Sequence, residues 1–177
     1  PSLRLFFGLW PDRALRLSLA DLAGRVLRGV DAKPVTDAQY HLTLAFIGSV
    51  AESQLPEVVA AASAIEFAPG RLRLDQLGYF PRSKTLWLGP SETPAELVEL
   101  AQDLNGALSA AGLPGDRRPL RAHLTLARKV ARPPRLGTVP ALDWPWQAFH
   151  LLSSDTRPTG AVYTVLQSFR SGSSTEP

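Results

Sequence analysis

Apolar residues along the chain recur with two periods, and the alternation between them predicts the elements. From Leu3 to Trp10 the run is nearly continuous and stops at Pro11-Asp12, which reads as a strand ended by a turn. Leu15, Leu19, Leu22 and Val26 then repeat at the helical period and predict a helix with one buried face. A strand is expected from Gln39 to Gly48. A second helix comes next, marked by Leu55, Val58, Val59, Ala62 and Ile65 and closed by Ala68-Pro69-Gly70. Leu72 to Phe80 and Thr85 to Gly89 read as paired strands joined through Pro81-Arg82-Ser83-Lys84. Thr93-Pro94-Ala95-Glu96 has the form of a capping box with Pro at the first helical position, so a helix bearing Leu97, Leu100, Leu104 and Leu108 should start there and stop at Gly112. A strand around residue 125, a Pro-rich stretch from Pro133 to Pro145, and strands at Gln147 to Ser153 and Ala161 to Phe169 complete the series. The order predicts an α+β protein built of two similar halves.

Each half contains one copy of the same tetrapeptide. His41-Leu42-Thr43-Leu44 and His123-Leu124-Thr125-Leu126 use two of the chain's three histidines. A single copy reads as an ordinary buried strand, since Leu-Thr-Leu alternation is common in sheets. For the pair, composition gives a coincidence of roughly one in a hundred or less, so a shared role is expected. On an extended strand alternate side chains share a face. His41, Thr43 and Ala45 should therefore line one side, and Leu42, Leu44 and Phe46 the other. His123, Thr125 and Ala127 repeat this arrangement, with Leu124 and Leu126 turned toward helices. Small alanines beside both polar pairs leave room for a ligand. If the halves are related by a pseudo-twofold axis, the two polar faces confront each other across a groove.

Composition bounds what that groove can hold. A chain of 177 residues with 45% hydrophobic content suits one domain, expected here as a single two-lobed unit over residues 1–170 with a disordered tail at 171–177. The absence of cysteine excludes disulfides and cysteine-based metal sites. The start of the sequence lacks a signal-peptide pattern and no apolar run reaches membrane-spanning length, so a cytoplasmic protein is expected. The net charge of +3 is unevenly placed: Arg117, Arg118, Arg121, Arg128, Lys129, Arg132 and Arg135 surround the second motif with no acidic residue among them. Such a cluster suits an anionic ligand, phosphate first, because guanidinium groups match its oxygens. There is no His-x-His, no His-Glu-x-x-His and no phosphate-binding Gly-x-x-x-x-Gly-Lys loop, which disfavours a metal hydrolase and an ATP-using ligase.

The two motifs in their contexts, His41-Leu-Thr-Leu-Ala-Phe-Ile-Gly48 and His123-Leu-Thr-Leu-Ala-Arg128, resemble the two-histidine (2H) phosphoesterase superfamily. More narrowly, the chain is similar to the RNA 2′,3′-cyclic phosphodiesterases, also called 2′-5′ RNA ligases. Arg4-Leu-Phe-Phe7, Arg82-Ser83 leading into Leu86-Trp87-Leu88-Gly89, and Arg118-Pro119 add to the likeness, which spans about residues 3 to 170. Ala122 departs from it, standing where the family often has Pro. The resemblance implies a bilobal, pseudo-twofold α+β fold, mainly antiparallel sheets lining a central groove with helices outside. It also implies metal-independent and cofactor-independent hydrolysis of RNA 2′,3′-cyclic phosphate ends to 2′-phosphates, with ATP-independent 2′-5′ joining as a reversal. By the same resemblance His41 is the proton donor, His123 the proton acceptor, and Thr43 and Thr125 bind phosphate oxygens. The partner implied is RNA with a cyclic phosphate terminus or a related nucleotide, with no membrane and no obligate protein partner. The competing class is a non-catalytic protein that holds RNA ends or nucleotide phosphates in the same groove.

Several finer expectations attach to these residues. Neighbouring cations should disfavour protonated His123, suiting a base, and Asp37 should favour protonated His41, suiting an acid. Arg128 is the first choice for a phosphate-binding cation, although strict alternation points it away from the groove and only a bulge or strand end would redirect it. Lys129 has the right parity and is the fallback. Phe6, Phe7, Trp10 and Tyr40 are candidates for base stacking. His150 lacks the following Thr and is read as structural.

Overall fold

The computed structural model describes residues 1–172. The strands are β1 (Ser2–Leu9), β2 (Lys33–Pro34), β3 (Leu42–Ala51), β4 (Gly70–Phe80), β5 (Thr85–Gly89), β6 (Leu124–Arg128), β7 (Thr138–Trp146), β8 (Ala148–Arg157) and β9 (Gly160–Arg170); the helices are α1 (Arg13–Val26), α2 (Leu55–Ser63) and α3 (Ala95–Ala110). Two antiparallel sheets result, in the order β3-β1-β8-β9 and β2-β6-β5-β4-β7. The α+β expectation holds, and so does its two-half character: β1-α1-β3 in the first half answers β5-α3-β6 in the second. In each half the motif strand lies beside the strand that precedes the helix.

The helices form where the apolar period placed them. Leu15, Leu19 and Leu22 are the buried face of α1, whose N-cap Asp12 accepts a hydrogen bond from the Leu15 amide at 2.8 Å. Leu97, Leu100, Leu104 and Leu108 are the buried face of α3. One buried cluster joins these residues to Leu5, Phe7 and Leu9 of β1, Leu42 and Leu44 of β3, and Leu124 and Leu126 of β6. The leucines of both motifs are thus turned into the core, leaving their histidines and threonines on the opposite side.

Several boundaries differ from those expected of the sequence. The helix expected to begin with a Thr93 capping box starts at Ala95 with Pro94 as N-cap and no side-chain cap, because Pro94 lies in extended backbone one position before the first helical residue. The first motif strand starts at Leu42 instead of Gln39, since Asp37–Gln39 form one turn of 3-10 helix closed by the Gln39 side chain, which accepts from the Thr36 amide at 2.9 Å. Thr138 to Trp146, inside the Pro-rich stretch, is a strand; it pairs only with β4 at the sheet edge, where a residue lacking an N–H costs no ladder bond. The two-residue strand β2 is too short to leave a periodic signal. From residue 173 on, the expected tail lies outside the described residues. Among the described residues no helix is long and apolar enough to cross a membrane.

Candidate active site

Both motif histidines sit at the entrance to their strands and are held alike. The Nδ1 of His41 lies 2.8 Å from the Gln39 carbonyl oxygen, and the Nδ1 of His123 lies 2.7 Å from the Arg121 carbonyl oxygen. A carbonyl only accepts, so in both rings Nδ1 carries the hydrogen and Nε2 is left for other chemistry. Each imidazole is also packed by two aromatic rings. Phe6 and Tyr163 flank His41 at centroid distances of 5.0 and 4.6 Å; Phe80 and Trp87 flank His123 at 5.0 and 6.1 Å. The rings are locked by packing and by one backbone bond apiece.

A β-bulge falls at the same position in both motifs. Along β1 and β3 the register passes from Gly8 opposite Thr43 to Phe7 opposite Ala45, skipping Leu44. Along β5 and β6 it passes from Trp87 opposite Thr125 to Leu86 opposite Ala127, skipping Leu126. The extra residue reverses the parity of the residues that follow, in β3 as far as a second shift at Ile47. Leu44 and Ala45 are both buried and Phe46 emerges; Leu126 and Ala127 are both buried and Arg128 emerges. This is the bulge that Arg128 required. It also corrects the placement of Phe46, expected on the packing face and found 36% exposed, and of Ala127, which packs beneath β6 with Leu86 and Val130.

The motifs interleave. A cavity of about 250 Å³ is lined by His41 together with Thr125 and Arg128 of the other motif, and by Lys33, Thr36, Gln39, Lys129 and Tyr163. A second, of about 670 Å³, is lined by His123 together with Thr43, and by Phe46, Phe80, Arg82, Arg118 and Arg121. Each histidine shares its cavity with the threonine of the opposite copy. Both cavities carry three cationic side chains; the second adds Phe46, Phe80 and the carboxylate of Asp116.

The electrostatics favour neutral rings in the ligand-free protein. Burial is the main cause that lowers the His41 pKa from 6.5 to about 4; the bond to the Gln39 carbonyl opposes it, and Arg128, His123 and Arg16 add to the lowering. His123 is also lowered, chiefly by burial, with Arg121 and Arg128 contributing. Arg128 therefore acts on both imidazoles, and so stands near both. The expected influence of Asp37 on His41 is absent: Asp37 instead offers its backbone carbonyl to Arg16, whose guanidinium stacks on Trp10 at 4.1 Å.

The aromatic candidates for base stacking have other occupations. Phe7 is fully buried and packs edge-on against Phe149 and Phe169, and Tyr40 is core with 3% exposure. Phe6 is buried behind His41, and one face of Trp10 is covered by Arg16. Hydrophobic strand ends bury aromatics more strongly than they display them. Phe80, Trp87 and Tyr163, none of them a stacking candidate in the sequence, are the rings that touch the histidines together with Phe6. Only register could have found one of them, since Trp87 stands directly opposite Thr125. His150 lies outside both cavities, its Nδ1 2.8 Å from the Ser168 hydroxyl. Among the described residues no three His, Cys, Asp or Glu side chains are grouped to hold a metal ion.

Known proteins match this chain along nearly its whole length. A family model described as the 2′-5′ RNA ligase superfamily matches residues 11–157. A Thermus thermophilus protein named RNA 2′,3′-cyclic phosphodiesterase is 35% identical across 94% of this chain and 89% of its own length. An Escherichia coli protein of the same name is 28% identical across 93% and 94%. The crystal structure of Escherichia coli LigT complexed with 3′-AMP superposes with a TM-score of 0.89 at 25% identity, covering 97% of this chain and 99% of the other. The Thermus thermophilus protein TT0787 superposes with a TM-score of 0.80 at 33% identity, covering 95% and 97%. With two antiparallel sheets, duplicated motif strands and these relatives, the chain belongs to the 2′-5′ RNA ligase superfamily, among the RNA 2′,3′-cyclic phosphodiesterases.

Proposed function

We propose that this chain hydrolyses RNA 2′,3′-cyclic phosphate ends to 2′-phosphates by paired-histidine acid and base catalysis without a metal ion. The observation that supports this reading is the exchange of partners between motifs: each imidazole lines a cavity with the hydroxyl of the opposite copy, and Arg128 acts on both rings. Nε2 of His123 takes a proton from water as the oxygen attacks phosphorus. The bond from phosphorus to the 3′-oxygen breaks in line, and Nε2 of His41 delivers a proton to that oxygen, leaving the 2′-phosphate. Thr43, Thr125 and Arg128 offset the charge that grows on the nonbridging oxygens. A 5′-hydroxyl in the place of water would give a 2′-5′ linkage with no ATP.

His41 needs a proton for this role, and ligand-free it binds one only near pH 4. The cyclic phosphate supplies the missing counter-charge, since an anion between the rings favours the imidazolium. Electrostatics of the free site run against the expected order, since His41 is the more strongly lowered ring; the order of roles comes from the likeness to the family. Incubation with RNA ending in a 2′,3′-cyclic phosphate, in chelator, tests all of it. The expected product is the 2′-phosphate, with turnover falling about 10²–10⁴-fold in His41→Ala and in His123→Ala. A 3′-phosphate product reverses the acid and base assignment. Turnover that needs added divalent metal, or that survives in the double variant, overturns the mechanism, and binding without turnover favours the non-catalytic reading.

A further inference from the structure

Beside the proposed reaction centre stands a cation cluster that the chemistry above leaves largely unused. β2 pairs with β6 so that Lys33 lies directly opposite Arg128, and Lys129 comes next after Arg128 in the chain. Like charges placed directly across a ladder repel and weaken the pairing. All three line the cavity that holds His41, and among the described residues no carboxylate lines it. None of the three makes an ion pair among the described residues.

The backbone works to keep the cluster in place. Lys129 has φ of 54°, a left-handed conformation that a residue with a β-carbon adopts at a cost. It is held there because the next residue is fixed from both sides. The Val130 side chain is fully buried, its amide donates to the Lys84 carbonyl at 3.0 Å, and its carbonyl accepts from the Tyr79 hydroxyl at 2.7 Å. Mutual repulsion is concentrated at one mouth of the groove, on cations that no anion neutralises among the described residues. An anion brought by the substrate would relieve the repulsion.

We propose that Lys33 and Lys129, set beside Arg128 at the mouth of the His41 cavity, form a subsite for the phosphodiester preceding the terminal nucleotide, so that the protein prefers oligonucleotide ends to mononucleotides. The proposal rests on the reading of the central groove as the phosphate site. With the terminal phosphate between the histidines, the next phosphate along the strand is the anion that comes within reach of the neighbouring lysines. The larger cavity on the His123 side is lined by Phe46 and Phe80, and of its cations Arg118 is paired with Asp116 and Arg121 lies over the Phe80 ring, so it suits a base better than a second phosphate.

Binding separates this subsite from catalysis. Dissociation constants are measured for a trinucleotide ending in a 2′-phosphate and for a nucleoside 2′-phosphate, using wild type and the Lys33→Ala, Lys129→Ala double variant. Both lysines are exposed, so the variant should fold. The expected result is a loss of about tenfold for the trinucleotide with the mononucleotide changed less than about twofold. The log–log salt dependence for the trinucleotide should become shallower by about 0.7 per lysine removed. Equal losses for both ligands would overturn the subsite, showing that the lysines act on the terminal phosphate, and no loss for either would make them a solvated surface. These outcomes stand whether or not the wild type turns over a cyclic phosphate, so failure of the reaction and failure of the subsite are told apart.

Discussion

At the scale of single residues, the proton affinity of the two imidazoles makes a testable demand. Both titrate below the ordinary value of 6.5 in the ligand-free protein, His41 near 4, because burial disfavours the charged ring and Arg128 repels it. Since kcat/KM reports the free protein, its optimum should lie on the acid side of pH 6.5 and its value should fall with rising pH as protonated His41 is lost. In the substrate complex the phosphate charge raises both affinities, so the falling limb of kcat should lie at distinctly higher pH than that of kcat/KM. Coincident limbs would show that the bound phosphate does not couple to His41. Arg128→Gln removes one source of repulsion from both rings; the falling limb of kcat/KM should move up in pH while the rate itself drops.

Elements decide where those residues point, and one glycine carries much of the decision in the first half. A β-carbon on Gly8 would stand 2.7 Å from the Leu42 carbonyl oxygen, backbone against backbone, one residue before Thr43. Gly8→Ala should therefore destabilise by about 1–3 kcal/mol and lower turnover, as β1 and β3 part at the motif. Gly24→Ala, in α1 with nothing within 4 Å of the new carbon, is the control and should stabilise by about 0.5–1 kcal/mol. Denaturant midpoints for the two variants, moving in opposite directions, check both. The same level of structure explains what could be read from the sequence. Leu15, Leu19 and Leu22 announced α1 and the leucines of α3 announced that helix, because burial of one face is periodic. His41, Thr43, His123 and Thr125 were legible because strand alternation holds up to the second leucine of each motif. Beyond that leucine the bulge breaks the period, and Phe46 and Ala127 were misplaced for that reason alone. Edge position hid β7 in the same way, since Pro140 and Pro145 argue against a strand unless its outer side is known to be unpaired. Contacts between segments far apart in the chain, such as Tyr163 of β9 against His41 ahead of β3, belong to no local pattern.

The whole molecule has to hold two strands from different sheets in register with each other, and its core is arranged for that. Leucines of both motifs, β1, α1, α3 and the indoles of Trp144 and Trp146 belong to one buried cluster. Neither sheet can be exposed without uncovering apolar surface of the other, which favours the two halves unfolding as a unit. The distribution of tryptophans makes this measurable. Trp87, Trp144 and Trp146 lie in the second sheet, while most of the first sheet's signal must come from backbone dichroism. Under urea, tryptophan fluorescence and far-ultraviolet dichroism should trace one transition with the same midpoint, and turnover should vanish within it. A fluorescence transition separated from the dichroism transition would mean that each lobe is stable alone. In that case the spacing of His41 and His123 would depend on how two independent bodies meet, instead of on a shared core, and a site assembled from both would survive only where both remain folded.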